Sequence, residues 1–151
     1  MKRLEIKRTH PENPDFISLI ELLNLELWER NEDRQQVYVS HNILEKGTKC
    51  LVAYVNGVAV ASGAIRMLDN KRVEIKRMFV IREYRGKGYS KEILNELEIW
   101  SKELGYSEFV LETGINHPEA ISLYEKSGYR RIKNYGPYKN LPESICMGKI
   151  L

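Results

Sequence analysis

The sequence predicts an α/β (α+β) domain, with one mixed, mostly antiparallel sheet of six to seven strands and helices on both faces. Three observations carry this expectation. Asn56-Gly57 stands between two β-rich runs, the strongest short-range signal for a two-residue hairpin. Downstream, two stretches with apolar residues at helical spacing alternate with short β-rich runs. No repeat, low-complexity tract or Gly/Ser/Pro linker divides the 151 residues, so a single domain is expected over 1–151.

The elements follow in order. Leu4 to Arg8 alternates weakly, as an edge strand does. Asn13-Pro14 supplies an N-cap and a first helical residue, and Phe16, Ile20, Leu23 and Leu27 form one helical face. Residues 34–46 read as a second, broken helix ending at Gly47. Strands are expected over Lys49–Val55, Val58–Leu68 and, after Asp69-Asn70, Arg72–Val80. Ile93, Leu94, Leu97, Trp100 and Leu104 recur at helical spacing up to Gly105, and Glu108–Glu112 is a short strand. Pro118 opens a helix carrying Ala120, Ile121 and Tyr124, which Gly128 stops. Strands near Tyr129–Lys133 and Ser144–Ile150 flank a turn-rich segment.

Composition bounds the function. Hydrophobic residues at 42% and charged residues at 30% are a globular balance. A net charge of +3, with Lys and Arg dispersed among 21 acidic residues, gives no basic face for nucleic acid but suits an anionic ligand. The N-terminal stretch lacks a signal peptide's apolar core, and no apolar run approaches membrane-spanning length. Cys50 and Cys146, far apart and without metal-spaced neighbours, read as buried thiols of a cytoplasmic protein. No metal is expected.

The most informative stretch is Val80-Ile-Arg-Glu-Tyr-Arg-Gly-Lys-Gly-Tyr-Ser90, between a strand and an amphipathic helix. Gly86 and Gly88 permit a tight turn and close approach of a ligand. The amides of residues 86–90 then face outward at a helix N-terminus, with Arg85 and Lys87 adding charge, an arrangement suited to pyrophosphate. The alternative is an ordinary strand-to-helix turn. The stretch matches neither G-x-x-x-x-G-K-[ST] nor G-x-G-x-x-G.

Arg85-Gly-Lys-Gly-Tyr-Ser90 resembles the Arg/Gln-x-x-Gly-x-Gly/Ala coenzyme A signature of the GNAT N-acetyltransferase superfamily. Glu74-Ile-Lys-Arg-Met-Phe-Val80 and Ala120-Ile-Ser-Leu-Tyr-Glu-Lys-Ser-Gly-Tyr129 sit where that family places its other motifs. The likeness runs from about residue 49 to the C-terminus. Ser90 replaces the family's final Gly or Ala, and His117, next to Asn116, stands where many members have Asn.

The resemblance implies a GNAT-like fold and acetyl-CoA as co-substrate, bound by Met78, Phe79, Val80, Arg85, Gly86, Lys87, Gly88, Tyr89, Ser90 and Asn116. The backbone of Met78–Val80 would pair with the pantetheine arm between strands splayed near residues 78 and 110. Residues 73–80 do not alternate cleanly, as expected where a bulge interrupts a strand. By the same resemblance Glu74 is the general base and Tyr124 the general acid for the leaving thiolate, and the Phe79 amide polarises the thioester carbonyl. The alternatives are an exposed Glu74 paired with Lys76 or Arg66, and a core Tyr124 with a satisfied hydroxyl.

The implied acceptor is a primary amine of a small molecule or a protein, with no nucleic-acid or membrane partner, in a monomer or homodimer. Helices 1 and 2 and the final strand pair would build its pocket, with charges of both signs at Glu21, Glu26, Glu29, Arg30, Asp33 and Arg34. Tyr135 and Tyr138 would line that pocket or anchor their loop. Trp28 and Trp100 are expected in the core, His10 and His41 at the surface. A non-catalytic acyl-CoA sensor on the same scaffold is the competing reading, and it would have no use for Glu74 and Tyr124 together.

Overall fold

A computed structural model describes residues 3–30 and 47–151. The expected helix over 34–46, with His41, Asp33 and Arg34, lies outside the described residues. Seven strands form one sheet in the order β1-β2-β3-β4-β5-β7-β6. They are β1 Leu4–Thr9, β2 Lys49–Val55, β3 Val58–Met67, β4 Arg72–Val80, β5 Glu108–Gly114, β6 Arg130–Ile132 and β7 Ser144–Ile150. All neighbours pair antiparallel except β4 and β5.

The hairpin forms as its turn residues dictate: Asn56 (φ 51°) and Gly57 (φ 78°) both take positive φ, the turn whose twist matches the strands it joins. Helix α1 spans Pro14–Arg30, and the Asn13 side chain caps it by accepting from the Phe16 amide at 3.1 Å. Helices α2 (Tyr89–Glu103) and α3 (Pro118–Lys126) complete the set among the described residues. Gly105 and Gly128 both take φ 94° just past α2 and α3, the conformation that ends a helix.

Two apolar clusters cover the two sheet faces. Leu51, Ala53 and Val55 of β2 pack with Ile93, Leu94 and Leu97 of α2 and with Tyr124 of α3. The alternate residues, Cys50 and Val52, pack with Phe16, Leu19 and Leu23 of α1. Both cysteines are free and buried. Trp28 and Leu104, expected on buried faces, are instead 45% and 44% exposed. Trp100 packs against the first cluster under the Arg8 guanidinium, 4.8 Å from its ring. His10 lies at the surface beside Glu12.

The expected bulge is present. Ser62 pairs with Phe79, yet Ala64 pairs with Lys76, so β4 carries an extra residue at Arg77 and Met78. Arg77 takes φ 59°, unusual for a side chain with a Cβ. Ser62 Oγ donates to the Arg77 carbonyl at 2.9 Å and so satisfies a backbone oxygen that the bulge takes out of register.

Candidate active site

The bulge matters because it lies where the sheet opens. β4 and β5 pair over four residues only, from Arg72/Glu108 to Ile75/Leu111. β4 then continues to Val80 and β5 to Gly114 without pairing to each other. The parting therefore begins at Lys76 and Glu112; Val110, expected near the splay, is still paired with Glu74. A cleft of about 470 Å³ occupies the gap, with Met78, Phe79 and Val80 on one wall.

The glycine turn closes one end of the cleft. Gly86 and Gly88 take φ 79° and 80°, and a Cβ on either would meet nothing within 4 Å. Gly88 begins α2 without a side-chain cap, so the first-turn amides have no internal side-chain acceptor. Room, exposed amides and a positive helix terminus fit a pyrophosphate.

Arg85 is placed differently from a free phosphate-binding charge. Its Nε donates to the Val80 carbonyl at 2.8 Å, Nη2 donates to Glu26 of α1 at 2.8 Å, and the guanidinium lies 5.6 Å from the Phe79 ring centroid. It braces the turn against β4 and α1. Of the catalytic and cofactor-binding candidates from sequence, all but Lys87 line the cleft; Lys87 is exposed outside it. Asn116 and His117 both reach the lining, and His117 occupies the N-cap position of α3. Glu26 of α1, expected in the acceptor pocket, is in the lining; Leu23 and Leu27 of α1, Lys91 of α2, and Glu112 and Thr113 of β5 line it too, although the sequence did not single them out for this role.

Glu74 is not an exposed strand carboxylate. It is 2% exposed and still reaches the cleft. The Tyr135 hydroxyl donates to Oε2 at 2.5 Å, while Arg66 Nε and Lys76 Nζ lie 3.4 and 3.7 Å from Oε1. Lys76 Nζ also donates to the Tyr138 hydroxyl at 3.5 Å. Burial holds the Lys76 ammonium below its ordinary pKa, opposed by the Glu74 charge. Burial and then Glu74 push both tyrosine phenols well up. Tyr138 lines the cleft, whereas Tyr135 ties its loop to Glu74. Asn134 secures that loop, its Nδ2 reaching the carbonyls of Tyr138, Leu141 and Ser144 at 3.1–3.3 Å.

Tyr124 lines the opposite side from α3 and is 6% exposed. Its ring edge meets Tyr129, with centroids 5.8 Å apart. Among the described residues nothing hydrogen-bonds its hydroxyl. Burial first, and then the Glu112 charge, push its phenol well above the ordinary value. A core tyrosine with a satisfied hydroxyl does not describe it.

Comparison with known proteins agrees with this architecture. The sequence model of the acetyltransferase (GNAT) family matches residues 15–129. An IAA acetyltransferase of Azospirillum brasilense is 31% identical over the full length of both chains. A Klebsiella pneumoniae protein assigned as an acyl-CoA N-acyltransferase superimposes with a TM-score of 0.82 at 29% identity, covering 98% of this chain and 97% of its own. An Elizabethkingia anophelis GNAT acetyltransferase with acetyl-CoA bound shares the fold, with a TM-score of 0.72 at 19% identity and 98% of both chains covered. The chain belongs to the acetyltransferase (GNAT) family and is an acetyl-CoA-dependent N-acetyltransferase. The sensor reading gives way to an enzyme. No helix among the described residues is long and apolar enough to cross a membrane.

Proposed function

We propose that the protein transfers the acetyl group of acetyl-CoA directly to a primary amine of a small molecule or a protein, with Tyr124 as the acid and Glu74 as the base. The observation that carries this reading is Tyr124, 6% exposed beside the parted strands, whose hydroxyl has no hydrogen-bond partner among the described residues. The free edge of Met78–Val80 supports pairing with an extended pantetheine arm, and the amides after Gly88 support the pyrophosphate. The Phe79 amide would then polarise the thioester carbonyl.

Two further demands follow from the chemistry. An alkylammonium of pKa about 10.4 loses its proton at pH 7 at a cost of roughly 4–5 kcal/mol. Glu74 would receive that proton. Its burial and its three polar neighbours favour relay through water in the cleft over direct contact. The leaving sulfur needs a proton, and a phenol pushed up by burial carries one at every working pH. Desolvation beside the Tyr124 ring also raises the leaving thiol, which keeps the transfer feasible. Two free, buried thiols suit the reducing cytoplasm.

The test is thiol release from acetyl-CoA across a panel of amines, with wild type and Tyr124→Phe. Wild type should turn over with at least one amine class. The variant should lose most of kcat while KM for acetyl-CoA changes little, because the lost contact is made mainly in the transition state. Equal kcat in both would remove Tyr124 as the acid.

A further inference from the structure

A second polar network lies behind Tyr124, away from the cleft. Glu98 on α2 is 9% exposed on the helix face that buries Ile93, Leu94, Leu97 and Ser101. Its Oε1 accepts from Lys149 Nζ of β7 at 3.1 Å, and its Oε2 accepts from the Tyr129 hydroxyl at 2.7 Å. Lys149 Nζ also donates to the Ser127 carbonyl at 2.9 Å, and its ammonium lies 5.5 Å from the Tyr129 ring centroid. Its stem crosses Gly128 so closely that a Cβ there would meet Lys149 Cε at 3.5 Å. One carboxylate and one ammonium thus fasten α2, β7 and the turn after α3 at a single point.

That turn holds Tyr124. The Tyr124 carbonyl accepts from the amides of Ser127 at 3.1 Å and Tyr129 at 2.9 Å, and its ring meets the Tyr129 ring edge-on. With no hydrogen bond on its own hydroxyl among the described residues, Tyr124 is oriented by backbone and ring contacts, and the network grips both. The pair is partly buried, with 25% of the Lys149 and 11% of the Glu98 side chain exposed, and such pairs contribute little net stability, so stability alone gives little reason for charge here. Orientation within a few tenths of an ångström does, because small misplacements of a reacting group cost rate steeply.

We propose that Glu98, Lys149 and Tyr129 form a positioning device that aims the Tyr124 hydroxyl into the cleft. The inference rests on Tyr124 being the acid. Burial and the Glu98 charge push the Tyr129 phenol well up, so it stays a donor to Glu98 at any working pH.

The experiment compares Tyr129→Phe and Lys149→Met with wild type, Tyr124→Phe and the double variant Tyr124→Phe/Tyr129→Phe. Tyr129→Phe keeps the ring, so folding is retained even where Lys149→Met proves too severe. Each network variant should lower kcat roughly 10- to 100-fold with KM for acetyl-CoA unchanged. The loss should shrink with acyl donors of more acidic thiol, as for Tyr124→Phe. The double variant should be no slower than Tyr124→Phe alone, since the device acts only through that hydroxyl. Losses that multiply in the double variant, or that ignore the leaving thiol, overturn the device and leave the acid intact. Full turnover in Tyr124→Phe overturns the acid, and the device with it.

Discussion

The Tyr135 hydroxyl donates to Oε2 of Glu74 at 2.5 Å, joining the last loop of the chain to the central strand of the sheet. The same carboxylate faces Arg66 and Lys76, so it is both a structural hub and the proposed base.

Glu74→Gln separates those roles. The amide keeps an oxygen for Tyr135 but loses the charge opposite two cations. Stability should fall by about 1–3 kcal/mol, and kcat by roughly 10²–10⁴-fold, with acetyl-CoA binding retained. Urea denaturation, donor titration and turnover on one preparation measure all three. A variant that is destabilised yet turns over like wild type at neutral pH would reduce Glu74 to a loop anchor.

Gly88→Val tests the turn. Its φ of 80° penalises any Cβ by about 1–2 kcal/mol, and the empty space above it is where a pyrophosphate would sit. The variant should fold and lose acetyl-CoA binding, whereas Ser90→Gly should bind as wild type. Calorimetric titration decides it; unchanged affinity in Gly88→Val would leave the turn without a ligand.

Gly63 sets the distance between sheet and helix. A Cβ there would stand 2.6 Å from Ile93 Cγ2 and 3.0 Å from both Leu97 Cδ1 and Met78 Sδ. Gly63→Ala should cost about 1–3 kcal/mol by overpacking, seen as a lower urea midpoint with an unchanged m-value. Because Met78 lines the cleft, affinity for acetyl-CoA should also weaken.

The cysteines give a pH dependence. Burial pushes the Cys50 thiol up to about 12 and the Cys146 thiol up to about 11, from an ordinary 9.0. The folded state therefore keeps protons that the unfolded chain releases. The resulting stability is fully present below pH 9 and is lost as pH rises through the folded values. Neither thiol should react with a disulfide reagent until the protein unfolds. Rapid labelling of the native protein would contradict this burial.

What the sequence revealed was what short-range rules govern. Asn56-Gly57, the Asn13 cap and the glycine turn each depend on a few adjacent residues, and each forms as expected. The bulge was legible as a fault in alternation. Trp28 was not, because α1 carries apolar residues on more than one face and spacing alone does not say which face meets the sheet. The burial of Glu74 depends on Tyr135, 61 residues away, and the Arg85 brace on Glu26, 59 residues away. Insertion of β7 between β5 and β6 is likewise decided by long-range pairing.

The parting of β4 from β5 leaves the main-chain groups of Met78–Val80 unpaired with β5 along one wall of the cleft. Recognition by peptide groups is indifferent to the identity of the residues that carry them. If the pantetheine arm pairs there as proposed, positions 78–80 could change in sequence, so long as they stay extended, without loss of that pairing. Apart from Tyr124 and Glu74, the proposed acid and base, the side chains lining the rest of the cleft would then be free to change with the acceptor. On the proposed reading the sheet separates donor binding from acceptor choice, which would let one scaffold exchange its acetyl acceptor while keeping its acetyl source.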